Sequence, residues 1–315
     1  MGLTTIIAGV DLSVPSEQAL DRAAALAQHN GALLVMVNAQ ADDAPIENVD
    51  NEVLKQLGEV SEAVRAEEAK RLAVREQQLA ARGIRVELVY RGGPPGEVVS
   101  EIAAERGAEL IVIGTHGHTG LQRFLLGSVA TAVLRHAPCD VLVCRSGLDA
   151  STPGEPAPFS RPLVATDFSA SAGRALRNAA ALTAAGAPIE IIHAWQLPAG
   201  SWGATLLGQT RFPWSTVRDA VLVSAQTQAD KLVAGSADLG HPLHVQLVQG
   251  PAQSVITAAA ESGGHDLIAI GTHGHRGFRR LLLGSVAEGV IRHAPCSVLV
   301  AHGEHAGDTS RVKKL

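Results

Sequence analysis

Apolar residues in the first half of the chain follow two alternating rhythms. Short, nearly continuous apolar runs occupy residues 4–10, 33–38, 85–90, 110–113 and 141–144. Runs of that length, rich in Val, Ile and Leu, predict strands. Between them, helical patterns cover residues 16–29, 52–82, 95–106 and 128–136, with Asn30-Gly31 and Gly83 as C-terminal stops. The long second helix carries Val53, Leu57, Val60 and Val64 on one stripe, and its Arg/Glu-rich run over 62–75 reads as a solvated face. Strands that are apolar throughout, separated by helices, predict a parallel sheet covered on both faces. With right-handed crossovers, the expectation is a doubly wound α/β domain.

The pattern then starts again. Residues 111–145 and 268–302 align without a gap, with 24 identities in 35 positions. Gly271 follows Gly114 by 157 positions, as Gly284 follows Gly127 and Cys296 follows Cys139. Near the strand-one ends, Asp167 follows Asp11 by 156. A period this long is a whole domain, so the chain is a tandem duplication. The expected division is a first domain over 1–148, a Pro-rich linker over 149–160, a second domain over 161–303 and a polar tail over 304–315. Copy two departs where Trp195, Trp202 and Trp214 lie in a Gly/Pro-interrupted stretch before a helix near 217–233.

Composition narrows the function classes. At 46% hydrophobic and 18% charged, the 315-residue chain is not a disordered one. No apolar run approaches the roughly 20 residues of a membrane helix, and the N-terminus reads as a first strand, without a signal-like basic region. A net charge of −5, from 26 basic and 31 acidic residues, is no footprint for nucleic acid. A small anion remains compatible, because backbone amides bind it without net charge. The three cysteines, Cys139, Cys144 and Cys296, are too few for a disulfide framework. Cys139 and Cys144 point to opposite faces of one strand, so buried thiols in a reducing cytoplasm are expected.

The candidate chemistry lies at Gly114-Thr115-His116-Gly117, followed nine residues later by Gly127-Ser128. This segment leaves a strand and opens a helix. Gly117 lets backbone amides approach an anion closely. Ser128 is a candidate N-cap for a helix whose free N–H groups and dipole favour phosphate. In a doubly wound sheet, ligands bind beyond the carboxyl ends of the strands. Asp11 closes strand one and Gly114 closes strand four, so both flank one crevice if those strands are neighbours. Glycines at such a turn also serve purely conformational ends.

The spaced glycines, an Asp at the end of strand one and the terminal His-Ala-Pro-Cys-x-Val-Leu-Val segment (136–143 and 293–300) resemble the universal stress protein family, across essentially the whole chain as two domains. The resemblance implies five-stranded parallel sheets of order 3-2-1-4-5, with ATP, with or without Mg2+ or Mn2+, bound by a subset of members. It assigns Asp11 and Asp167 to the nucleoside end, and Val37 to the backbone position that meets adenine. It assigns Gly114, Gly117, Gly127 and Ser128, with Gly271, Gly274, Gly284 and Ser285, to ribose and phosphates. His118 and Val129, with His275 and Val286, complete the candidate set. In copy two, His193-Ala194-Trp195 is taken to stand where copy one has Val37-Asn38, and residues 196–213 are a candidate lid.

Competing chemistries are weaker. His116 and His118, like His273 and His275, have a spacing that suits a metal, but no local Cys or acid joins them. The His-Ala-Pro-Cys segments, with Pro138 and Pro295, mark a helix stop before a strand. Ser262-Gly263-Gly264-His265-Asp266 resembles a pyrophosphatase phosphate loop, but it precedes strand four instead of following strand one, so its glycines read as a helix cap. A nucleotide-binding stress regulator is therefore expected. The alternatives are a slow ATP-hydrolysing or phosphoryl-transferring enzyme and a protein-interaction module without nucleotide. Expected partners are an adenine nucleotide and an unknown protein, with neither nucleic acid nor membrane. The two copies are expected to form a pseudo-dimer through their fifth strands, with further homodimerisation open.

Overall fold

The computed structural model describes residues 3–40, 51–115, 126–145, 158–197, 214–272 and 283–302. The chain divides into two compact units, the first drawn from Met1–Pro156 and the second from Ala157–Gly303. The first contains β1 (Thr5–Gly9), α1 (Val14–Asn30), β2 (Leu33–Gln40), α2 (Asn51–Ala81), β3 (Arg85–Gly92), α3 (Pro95–Arg106), β4 (Leu110–Gly114), α4 (Ser128–His136) and β5 (Asp140–Cys144). The second contains β6 (Pro162–Ala165), α5 (Ala170–Leu182), β7 (Ile189–Trp195), α6 (Trp214–Ala234), β8 (Leu243–Gln249), α7 (Ala252–Gly263), β9 (Leu267–Gly271), α8 (Ser285–His293) and β10 (Ser297–Ala301).

The strand order is β3-β2-β1-β4-β5 in the first unit and β8-β7-β6-β9-β10 in the second, the doubly wound arrangement in both. Every pairing within a unit is parallel. β1 lies between β2 and β4, with Ala8 opposite both Met36 and Val112. Its Ile6 and Ile7 side chains are fully buried, as are Leu34, Met36 and Ile111 of its neighbours. Each such side chain contributes about 1.5–3 kcal/mol through burial, which explains why the central strands show no polar alternation. Gly31 and Gly107 close α1 and α3 in the left-handed conformation, at φ 64° and 57°.

Two features depart from the sequence pattern. The stripe of Val53, Leu57, Val60 and Val64 on α2 is exposed, at 44%, 45%, 61% and 52%. The same helix buries Leu72 and Leu79 completely. Length explains this: 31 residues of helix extend about 46 Å, whereas an eight-residue strand covers about 27 Å. The first half of α2 therefore outruns the sheet. The second feature is Phe159, at the end of the Pro-rich stretch. It is 1% exposed and its N–H donates to Leu182 O at 3.0 Å, so the second unit's packing begins before β6.

α3 and α4 meet closely because Gly96 faces Ala132; a Cβ on Gly96 would sit 2.4 Å from that of Ala132. In the second unit the sizes are exchanged. Gln253 takes the place of Gly96, and Gly289 that of Ala132, with a Cβ on Gly289 falling 2.2 Å from Gln253 Oε1. Among the described residues, no helix is long and apolar enough to cross a membrane.

Candidate functional site

The chain leaves β1 through a strained turn. Val10 N–H still donates to Val37 O at 2.9 Å, but Leu12 lies in the left-handed region at φ 62°. That conformation costs a β-carbon residue about 1–2 kcal/mol, and a ring of short-range hydrogen bonds holds it. Asp11 Oδ1 accepts from Ser13 N–H at 3.0 Å and from Ser13 Oγ–H at 2.6 Å. Ser16 Oγ accepts from Asp11 N–H at 3.0 Å, and Ser13 Oγ caps α1 by accepting Ser16 N–H at 3.4 Å. The second unit repeats the turn: Phe168 has φ 63°, Asp167 Oδ1 accepts Ser169 N–H at 3.0 Å, and Ser169 Oγ caps α5 through Ala172 N–H at 3.3 Å. The turn sets each aspartate at the carboxyl edge of its sheet, two residues beyond the strand.

The strand-four glycines serve packing. A Cβ on Gly114 would lie 2.8 Å from Pro15 O, and one on Gly271 would lie 2.7 Å from Ser171 Oγ. Each lets the end of its strand abut the first turn of the helix that follows strand one. Gly127, not Ser128, is the N-cap of α4, at φ −61° and ψ 156°, and Ser128 is the first helical residue. The backbone decides this: Gly127 N–H donates to Thr115 O at 2.9 Å, tying the helix start to the end of β4. The second unit does the same, with Gly284 as N-cap, its N–H on Thr272 O at 2.9 Å, and room for a Cβ only 3.0 Å from that oxygen. Neither cap offers a side-chain acceptor. The first-turn N–H groups of α4 and α8 are thus left to whatever lies beyond the helix end.

In the first unit these parts enclose a cavity of about 260 Å3. It brings together Asp11, Val37, Gly114, Gly127, Ser128 and Val129, six of the residues singled out from the sequence. Its polar lining comes from Asp11, Ser16, Thr115 and the start of α4, and its apolar lining includes Val37, Ala39, Val99 and Ile113. Sequence reasoning missed Gly9, Ser16, Pro95 and Val99. Pro95 opens α3 and Val99 lies one turn further on, and only the sheet order brings α3 to this edge. Val129 remains 39% exposed and Val286 36% exposed. Gly117, His118, Gly274 and His275 lie outside the described residues, as do His116, His273 and Trp202.

In the second unit Asp167 follows β6, Gly271 ends β9, Gly284 caps α8, and Ser285 and Val286 open that helix, with β6 and β9 paired in parallel. The correspondence at strand two differs from the expected one. Thr166 N–H donates to Ile192 O at 2.9 Å, so Ile192, not His193, matches Val37. His193 Nδ1 reaches Thr166 O at 2.8 Å, as Asn38 Nδ2 reaches Val10 O at 2.9 Å. Trp195 then matches Gln40: their carbonyls accept Gly250 N–H and Gly93 N–H, both at 3.0 Å. The path from strand one to strand two is one residue shorter in copy two, which an ungapped comparison cannot detect. The ring of Phe168 lies 4.5 Å from that of His193.

Other candidates resolve into structure. Gly264 caps α7 in the left-handed conformation at φ 60°, and Asp266 accepts from Ser160 N–H and Arg161 N–H at 2.7 and 3.0 Å. The Ser262–Asp266 stretch thereby anchors the entry to β6. His136 and His293 bond back to Ala132 O and Gly289 O of their own helices. None of the three cysteines forms a disulfide, and Cys144 and Cys296 are buried. Desolvation, with Asp140 close by, pushes the Cys139 thiol up to about 12. Among the described residues, no three His, Cys, Asp or Glu side chains group as metal ligands.

Comparison with known proteins agrees with this architecture. A universal stress protein of Staphylococcus haemolyticus is 33% identical over 149 residues, 45% of this chain and 84% of that protein. One of Staphylococcus aureus is 34% identical over 148 residues, 45% of this chain and 83% of its own length. Two crystal structures share the fold over nearly the whole chain. A universal stress protein from Archaeoglobus fulgidus has a TM-score of 0.61 at 23% identity, covering 95% of this chain and 98% of that one. A Pseudomonas aeruginosa protein has 0.63 at 18%, covering 96% and 94%. The universal stress protein family model matches twice, at residues 2–145 and 158–302. With both halves matched and the duplicated Asp-and-glycine framework in place, this chain belongs to the universal stress protein family.

Proposed function

We propose that the chain is a nucleotide-binding regulatory protein of the stress response and that ATP is its ligand. One observation carries the reading: the first unit's cavity brings together the start of α4, whose N-cap Gly127 has no side chain, the Asp11 carboxylate and an apolar wall of Val37, Val99 and Ile113. The N–H groups of Ser128, Val129 and Ala130 suit phosphate oxygens. Asp11 suits a ribose hydroxyl, and the slot around Val37 and Val99 suits a base. Gly117 and His118, with Gly274 and His275 in copy two, are assigned to the phosphate end on sequence alone. A Mg2+ or Mn2+ ion bound with the nucleotide would be held by its phosphates, because the described residues offer no group of metal ligands.

Binding without efficient turnover is the better reading. Asp11 is the sole ionisable residue among the described residues lining the cavity, and with Asp11 assigned to the ribose, that described lining supplies no paired acidic metal site and no arginine to the phosphates. The signal would then be the bound state itself, read by a protein partner. We further propose that the fifth strands, as sheet edges, cover one another in antiparallel fashion. Cysteines outside disulfides fit a cytoplasmic setting.

Calorimetric titration of the full chain with ATP, with mass spectrometry of any nucleotide that copurifies, tests the reading. Micromolar uptake or a copurified adenine nucleotide is expected. Absence of both rejects it.

A further inference from the structure

Once strand two is in its true register, the apolar floors of the two cradles can be compared position by position. Gly9 corresponds to Ala165, Val37 to Ile192 and Val99 to Ile256. Each change adds one carbon, and all three fall on the same end. A Cβ placed on Gly9 would lie 3.4 Å from Ile113 Cγ2 and 3.5 Å from Val99 Cγ2, on the floor of the first cavity. In the second unit that Cβ exists on Ala165, the equivalent of Ile113 is again isoleucine (Ile270), and the valine has grown to Ile256. Ala165, Ile192 and Ile256 are 5%, 2% and 4% exposed, so the added atoms are inside. Interiors packed at crystal density have no slack for them.

The opposing changes do not restore the space. Pro95 becomes Ala252, but both are part-exposed and stand at the rim. Ser16 becomes Ala172, which removes a hydroxyl tied to Asp11 N–H and not an atom of the floor. The polar end is retained: Asp167, Thr272, Gly284 and Ser285 repeat Asp11, Thr115, Gly127 and Ser128.

We infer that the two sites are not equivalent: the first admits a nucleoside base, and the filled floor of the second excludes it. Gly9, Val37 and Val99 determine the depth of the first site; Ala165, Ile192 and Ile256 close the second. This inference rests on the nucleotide-binding reading and deepens it. One nucleotide is thus bound per chain, in the first unit, despite the near-identical glycine segments.

The test is titration of the full chain with ATP. Wild type takes up one equivalent. Val129→Asp, which places a carboxylate at the phosphate end of the first site, takes up none. Adding Ala165→Gly, Ile192→Val and Ile256→Val to that variant restores one equivalent, now in the second unit, while circular dichroism confirms an unchanged fold. The converse triple change, Gly9→Ala, Val37→Ile and Val99→Ile, weakens uptake at least tenfold with its melting curve as control. Two equal sites in the wild type, or a full equivalent retained by Val129→Asp, would overturn the inference and leave nucleotide binding standing. Failure of the floor-opening changes to add a site would overturn it too. Absence of any uptake by the wild type would overturn the functional reading and the inference together.

Discussion

The hydroxyl of Ser13 donates to Asp11 Oδ1 at 2.6 Å, while Ser13 Oγ itself accepts Ser16 N–H and so caps α1. One serine therefore ties the aspartate of the candidate site to the start of the first helix. It also holds Leu12 in its left-handed conformation.

Asp11→Ala removes an acceptor used twice and is expected to lower the unfolding free energy by about 1–2 kcal/mol. Asp11→Asn keeps a carbonyl oxygen at the same place and should stay within about 0.5 kcal/mol of wild type, while still weakening ATP. Urea denaturation with calorimetry separates the two effects. Equal stability losses in both variants would mean that charge, not acceptor geometry, holds the turn.

Val129 lies in the first turn of α4, part-exposed at the mouth of the cavity. A carboxylate there favours the helix through its dipole, by about 0.3–1 kcal/mol, and repels phosphate. Val129→Asp should therefore lose ATP without losing stability. Glycine replacements are blunter tools: Gly114→Val drives a side chain into the Pro15 carbonyl and should destabilise the unit by about 1–3 kcal/mol whether or not nucleotide binds. Thermal melts beside titrations measure both.

The α3–α4 contact offers a cleaner packing experiment. Gly96→Ala meets Ala132 Cβ and should cost about 1–3 kcal/mol. Adding Ala132→Gly should return most of that loss, because the second unit already uses small opposite large at the corresponding pair, Gln253 and Gly289. A double-mutant cycle with no coupling would show that the helices separate instead.

With its folded value near 12 and burial as the leading cause, Cys139 stays protonated in the native protein where an unfolded thiol ionises. Its contribution to stability is intact below about pH 8.5 and declines as pH rises toward 12, since only the unfolded state gains the charge there. Alkylation followed by peptide mass spectrometry at pH 8 should label Cys139 in urea far faster than in the native protein. Equal rates would contradict the desolvated environment.

Each copy expressed alone should self-associate, because its fifth strand is a sheet edge in need of cover. Sedimentation showing soluble monomers of undiminished stability would remove the proposed pairing.

The alternation of apolar runs and helical patterns determined the fold class and nearly every element, because strands buried on both faces have no choice but to be apolar, and the recurrence of residues 111–145 at 268–302 determined the duplication. That Asp11, Gly114, Gly127 and Ser128 would flank one crevice was legible for a related reason: glycine, aspartate and serine at a strand-to-helix turn answer local backbone demands. Three matters were decided by tertiary structure. Gly127 became the N-cap in place of Ser128 because its N–H is drawn to Thr115 O, across a gap of twelve residues. The stripe on α2 stayed exposed because the sheet beside it is shorter than the helix. The match of Ile192 to Val37, and with it the filled floor of the second cradle, depends on which carbonyl Thr166 N–H finds. Strand register is set by pairing between chain segments distant in sequence, and a shift of one residue there carries no mark in local composition.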